Sequence, residues 1–191
     1  MCSDMMSTGI YGAEMANIKL GDTVVVFGIG PVGLMSVCGA RLLGAGKIIA
    51  IGTRSNCVEL AKEYGATHIV SYKEGDVVEQ IEKIAGGKVD SCIIAGGDCT
   101  TMNQALSVIK FNGTISNVNN VDVTDAYHIP ALLLGLGMSD VTLKNGFCPG
   151  GAFRMKKMMA LIQAGRVFEG EKYLYKKSGC IDDFFFKNAH Y

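Results

Sequence analysis

The run Gly28-Ile29-Gly30-Pro31-Val32-Gly33 constrains this chain more than any other feature. Glycines at this spacing mean little alone. Here they directly follow the apolar stretch Thr23–Phe27 (TVVVF) and precede an amphipathic segment, so they form the turn between a buried strand and a helix. Each residue then has a physical task. Gly28 permits the tight turn, Gly30 lets the backbone come close to a pyrophosphate, and Gly33 lets the helix pack against the strand. Pro31 takes the first helical position, where its missing N–H breaks no bond. The N–H groups around Val32 and Gly33, with the positive end of the helix dipole, favour a phosphate. The alternative is a glycine turn with a purely structural task.

The alternation that begins here continues along the chain. Lys47–Ile51, His68–Val70, Ser91–Ala95, Gly113–Val118 and Val141–Leu143 read as further strands. Between them Pro31–Leu43, Asn56–Tyr64, Asp76–Ala85, Thr101–Ile109 and Phe153–Ala164 carry apolar residues at helical spacing, while Pro130–Met138 is apolar without a clear period. Near-continuous apolar strands alternating with helices predict a parallel sheet covered on both faces. The expectation is an α/β doubly wound parallel sheet, the Rossmann fold, of about six strands. Residues 1–167 form the dinucleotide-binding domain in this reading. Residues 168–191, rich in Lys and aromatics, form a divergent or truncated tail.

The corner after the second strand reads Gly52-Thr53-Arg54-Ser55, with no Asp or Glu to hold ribose hydroxyls. A carboxylate there would repel a 2′-phosphate, whereas Thr53 and Arg54 would donate to it. The cofactor expected is therefore NADP rather than NAD; a solvated surface arginine is the alternative for Arg54. Tyr72, just past the third strand, borders the same pocket or packs at a strand end. Ala95, Asn119 and Asn120 follow the fourth and fifth strands, where ligands bind in such sheets, and are assigned to the nicotinamide half. Turn chemistry explains Gly and Asn at those places equally well.

Composition narrows the classes. The 18 basic and 18 acidic residues balance, which argues against a nucleic-acid or anionic-membrane surface. No apolar run reaches the roughly 18 residues of a membrane span. The start lacks a basic region followed by an apolar one, as a secretory signal would have. Seven cysteines, an odd number with no CxxC pair, read as reduced and mostly buried thiols of a cytoplasmic protein. His68, His128 and His190 are widely separated, and His128 reads as a surface residue.

Several short segments also resemble a known family. Asp4-Met5-Met6-Ser7-Thr8-Gly9-Ile10-Tyr11-Gly12-Ala13-Glu14, Gly28–Gly33, Gly52-Thr53-Arg54, Cys57-Val58-Glu59 and Tyr64-Gly65-Ala66-Thr67 all match it. So do Tyr72-Lys73, Ala95-Gly96-Gly97, Ile115-Ser116-Asn117 and Cys148-Pro149-Gly150-Gly151. In this order, from Asp4 to Val167, they resemble the cofactor domain of zinc-dependent, NADP-dependent secondary alcohol dehydrogenases. These belong to the medium-chain dehydrogenase/reductase superfamily.

The resemblance implies hydride transfer between NADP and secondary alcohols or ketones, zinc polarising the substrate oxygen, and a homo-oligomer. It implies that Gly28, Gly30 and Gly33 form the pyrophosphate loop. Gly52, Thr53, Arg54 and Tyr72 form the 2′-phosphate pocket, with Thr53 in place of the family's usual Ser. Asp4 matches a zinc ligand; the alternative is a helix N-cap before Met5-Met6. Leu136 and Asn120 depart from the family around the active site. The family's N-terminal GroES-like lobe, with the remaining zinc ligands, has no counterpart in the sequence, so the chain alone is expected to bind cofactor without catalysing. A stand-alone NADP-binding or oligomerisation module and a zinc-independent reductase are the competing readings. The edge strand Val141–Leu143 is expected to pair between subunits.

Overall fold

Val24 and Val26 of the first strand face one hydrophobic cluster, and Val25 and Phe27 face another on the opposite side of the sheet. That two-residue period is what a strand buried on both faces requires. The computed structural model describes residues 2–121, 129, 137 and 139–167. Six strands run in it: β1 (Thr23–Phe27), β2 (Lys47–Ile51), β3 (His68–Val70), β4 (Val89–Ile94), β5 (Ile109–Asn117) and β6 (Thr142–Asn145). They form one sheet in the order β3-β2-β1-β4-β5-β6, every pair parallel. The expected doubly wound fold is therefore present, with its reversal of strand order between β1 and β4.

A π-helical segment, Cys2–Met6, leads into helix α1 (Ser7–Met15). The later helices are α2 (Pro31–Leu42), α3 (Ser55–Tyr64), α4 (Val77–Ala85), α5 (Cys99–Val108) and α6 (Ala152–Gln163). Residues of α1, α2, α3 and α6 join the cluster on one face, and residues of α4 and α5 join the other. Leu34, Leu60, Ile81 and Leu106 are fully buried from these helices, each contributing roughly 1.5–3 kcal/mol relative to exposure.

Helices α1 and α2 cross almost backbone to backbone. A Cβ added to Gly9 would lie 2.3 Å from the Val32 carbonyl oxygen and 2.4 Å from Met35 Cβ, and one on Gly39 would lie 2.8 Å from Ala13 Cβ. The buried Ser36 hydroxyl donates to the Gly9 carbonyl at 3.0 Å. Glycine is required there because no side chain fits.

Most boundaries fall within one or two residues of expectation, and two differences have clear causes. The first is β5, which begins at Ile109 rather than Gly113; Asn112 adopts a φ of +62° and the β4–β5 register shifts between Val89 and Ser91, so a bulge separates the two parts of the strand. The second concerns Asp4, which is not an N-cap: it lies inside the π-helical segment, and the α1 cap position is Met6, without a side-chain cap. The expected sixth strand is displaced by one or two residues to Thr142–Asn145 and forms the outer edge of the sheet. Most of Pro130–Met138, His128 and the tail 168–191 lie outside the described residues.

Candidate functional site

The loops after β1 and β4 diverge at the reversal of strand order, and their glycines touch. A Cβ on Gly28 would lie 2.8 Å from Gly96 Cα. Gly28 itself has a φ of +84°, and its N–H donates to the Ile51 carbonyl at 3.2 Å. Gly30 occupies the N-cap of α2, with no side-chain cap and Pro31 next to it. The helix thus opens on N–H groups that no side chain satisfies, which is the arrangement a phosphate completes. Above Gly30 there is space: within 4 Å of a Cβ built there, the nearest atom is Nη2 of Arg54, at 3.8 Å. Pro31 and Gly33 are buried, and Val32 is half-buried.

The corner after β2 is arranged around Arg54, which takes the N-cap position of α3 in extended backbone with its side chain exposed. Thr53 donates its hydroxyl to the phenol oxygen of Tyr72 at 2.7 Å. Gly52 is buried, and a Cβ on it would lie 2.3 Å from Ile29 Cγ1. Its place in the predicted pocket is thus one of packing beneath the phosphate loop. Adjacent parallel strands β2 and β3 bring Thr53 and Tyr72 together.

At the far side of the reversal point, Ala95 is half-buried and its N–H donates to the Phe27 carbonyl at 2.9 Å. Asn119 is committed to its neighbours: its amide donates to the Gly97 carbonyl at 2.9 Å, and its backbone N–H donates to Asn117 Oδ1 at 3.0 Å. It ties the β5 loop to the β4 loop. Asn120 is exposed. Asp98 caps α5, and hydrogen bonds from the Thr100 hydroxyl and N–H hold its carboxyl below the usual range.

Asp4 is exposed and the Thr8 hydroxyl stands 3.5 Å from its Oδ1. The same hydroxyl stands 3.5 Å from the Cys148 sulfur, a neighbour that no local sequence pattern announces across 140 residues. A cleft of about 300 Å³ opens beside this turn, lined by Ser7, Pro149, Gly151 and Arg154 among others. Among the described residues no group of three or more His, Cys, Asp or Glu is placed to hold a metal ion. Zinc takes about three protein ligands, so the described residues do not hold it by themselves. Cys38, Cys57 and Cys92 are buried, and burial pushes the Cys92 thiol up. No helix among the described residues is long and apolar enough to cross a membrane.

Comparison with known proteins agrees with this geometry. The chain is 54% identical over 168 residues to an NADP-dependent isopropanol dehydrogenase of Entamoeba histolytica, covering 87% of this chain and 46% of that protein. It is 51% identical to that of Thermoanaerobacter brockii, covering 87% and 48%. The chain thus spans about half the length of the curated relatives it matches. Among solved structures, an alcohol dehydrogenase of Thermus sp. ATN1 superposes with a TM-score of 0.73 at 28% identity, covering 87% of this chain and 47% of that one. A structure described as a zinc-binding dehydrogenase of Sinorhizobium meliloti 1021 bound to NADP gives 0.79 at 27% identity, with 87% and 48% covered. Residues 31–164 match the zinc-binding dehydrogenase family model, and the chain belongs to that family.

Proposed function

We propose that this chain is the NADP(H)-binding part of a zinc-assisted oxidoreductase that transfers hydride between NADP and a small secondary alcohol or ketone. The observation that carries the reading is the corner after β2. It holds a guanidinium and two hydroxyls and no carboxylate, beside an α2 N-terminus without a side-chain cap. The NADP-dependent isopropanol dehydrogenases it resembles support the same cofactor and substrate class. When bound, NADP supplies the hydride acceptor or donor. The residues of the chain do the rest by binding and orientation. Gly28, Gly30, Pro31, Val32 and Gly33 receive the pyrophosphate; Thr53, Arg54 and Tyr72 take the 2′-phosphate; Ala95, Asn119 and Asn120 border the nicotinamide.

In this reading residues 1–167 form the cofactor domain, and Asp4 contributes one carboxylate to a zinc site whose other ligands come from elsewhere. The protein works in the cytoplasm as a homo-oligomer, and the edge strand β6 is the surface offered for pairing. A second reading, a cofactor-binding module without catalytic activity of its own, is favoured by the single carboxylate at Asp4. Titration of the purified chain with NADPH and with NADH, followed by nicotinamide fluorescence, tests the cofactor assignment. Saturation with NADPH and little response to NADH is expected; equal binding of both would overturn it.

A further inference from the structure

We propose that Asn145 is a site of spontaneous modification, converted to aspartate or isoaspartate by attack of the Gly146 amide nitrogen on its carboxamide, while the chain's other Asn-Gly pair, Asn112-Gly113, is protected by the sheet. Asparagine is thermolabile, and a following glycine has no Cβ to hinder the approach to Cγ. The step balances with water alone. The Gly146 nitrogen gives its proton to solvent and bonds to Asn145 Cγ; the Cγ–Nδ2 bond breaks and ammonia leaves. Water then opens the cyclic imide at either carbonyl. The products are aspartate and an isoaspartate whose main chain runs through the side-chain methylene.

The two Asn-Gly pairs share this chemistry and differ in freedom. Closing the ring turns the peptide plane between the two residues about the asparagine Cα–C bond, a soft dihedral unless neighbours fix it. Asn112 is fixed. It sits inside β5 at a φ of +62°, and its N–H donates to the Ser139 carbonyl at 2.7 Å. Thr114, next after Gly113, is in register with Ser91 on one side and Thr142 on the other. Gly113 is buried, and a Cβ on it would lie 2.6 Å from Ile109 Cγ1. Asn145 instead ends β6 at the outer edge of the sheet, with Asn117 as its register partner on one side only. Asn145 and Gly146 are both exposed, and residues 146–150 carry no regular structure. Among the described residues no hydrogen bond holds the Asn145 carboxamide or the Gly146 N–H. Conversion places a carboxylate at the exposed end of the edge strand, where charge opposes edge-to-edge pairing. That consequence rests on the homo-oligomer reading above.

Ageing of the folded full chain at mildly alkaline pH, followed by peptide mapping with mass spectrometry, tests the site. The peptide bearing Asn145 should convert at least about tenfold faster than the one bearing Asn112. In urea the two should convert within about threefold of each other, because only the fold separates them. Gly146→Ala should slow conversion at Asn145 at least about tenfold. It should melt like the wild type, since the added Cβ would meet nothing closer than 3.6 Å, at Met15 Sδ and the Tyr11 ring. Equal rates at the two sites in the folded chain, faster conversion at Asn112, or a difference that persists in urea would overturn the proposal. Sedimentation of the converted and unconverted forms reads the effect on the edge. The converted form should associate at least about threefold more weakly, and equal association overturns that effect. An unconverted chain that does not self-associate overturns the homo-oligomer reading, and the conversion rates still decide the site.

Discussion

Gly33 lies so close to Gly28 that a Cβ added to it would stand 1.8 Å from the Gly28 carbonyl oxygen. Relief would require α2 to move off β1, in the centre of the core. Gly33→Ala is therefore expected to cost more than about 4 kcal/mol and to abolish a cooperative melting transition. Gly30 is different, because a Cβ there meets only Arg54 Nη2 at 3.8 Å. Gly30→Ala should melt like the wild type, yet its methyl fills the space assigned to the pyrophosphate and should weaken NADPH at least about tenfold. A Gly30→Ala chain that folds and binds NADPH normally would move the pyrophosphate elsewhere.

Arg54→Glu places a carboxylate where NAD-binding sheets of this type hold one. On the proposed reading it removes a charge-assisted bond to the 2′-phosphate and adds repulsion, so NADPH affinity should fall by about ten- to a hundredfold or more. NADH affinity should change little. Fluorescence titration of both nucleotides reads the ratio, and equal losses would remove Arg54 from the phosphate corner.

Asp90 carries a pH-dependent contribution to stability at the opposite end of the sheet. Its Oδ2 accepts the Thr23 N–H at 2.8 Å, and its Oδ1 pairs with Lys110. Burial raises its pKa, but the bonds from Lys110 and Thr23 outweigh that and leave the carboxyl below its usual range. A lowered folded pKa means stability that is present above the unfolded value, near about 3.9, and lost as pH falls through the folded one. Asp90→Asn should therefore lower stability by about 1–3 kcal/mol at pH 7. The two unfolding curves should converge below pH ~3.9. Urea unfolding across pH checks this, and a constant gap down to the lowest pH would refute the assignment. NADPH binding at pH 7 should be unchanged.

Arg154 holds α6 to α1. Its Nη1 lies 2.8 and 2.9 Å from the two Glu14 carboxylate oxygens, while Nε and Nη2 donate to the Ser7 hydroxyl and carbonyl at 3.0 and 3.1 Å. The arginine side chain is 11% exposed and Glu14 40%, so solvent screens part of the pair. Arg154→Met should destabilise the chain by about 1–3 kcal/mol, mainly through loss of its two bonds to Ser7. Chemical denaturation measures it, and a loss within error would mean water replaces the guanidinium.

Chelation separates the cofactor site from the metal. Because Asp4 is the carboxylate this turn offers, EDTA should leave both the melting temperature and the NADPH affinity of the chain unchanged. A fall in melting temperature on chelation, restored by zinc, would show that the chain assembles metal ligands beyond those described.

β1, β2 and β3 were legible to the residue because each is a polar residue followed by an apolar run that Gly or Ser closes. The first half of β5 was not, since exposed Lys110, Phe111 and Asn112 break the apolar pattern, and of that half Ile109 alone is in register with β4, opposite Val89. Helix α1 was hidden for another reason. Gly9 and Gly12 lower its intrinsic propensity, and its order comes from the α2 crossing. The phosphate loop could be read from spacing, but the Thr53–Tyr72 bond spans 19 residues and two strands. Asn119 was read as a ligand neighbour from its position, whereas its amide is used to brace Gly97.

The Gly9–Val32 contact has a consequence for how far sequence drift can reach. The segment bearing Asp4 and the helix that opens at Pro31 meet at close range, with Gly9 against the Val32 carbonyl and the Ser36 hydroxyl bonded to the Gly9 carbonyl. Side chains elsewhere can be exchanged without altering the spacing between these two elements. The turn that bears Asp4 and the helix that opens at Pro31 behave as one ruler, whose length is set by the glycines at the crossing and by the Ser36 hydroxyl.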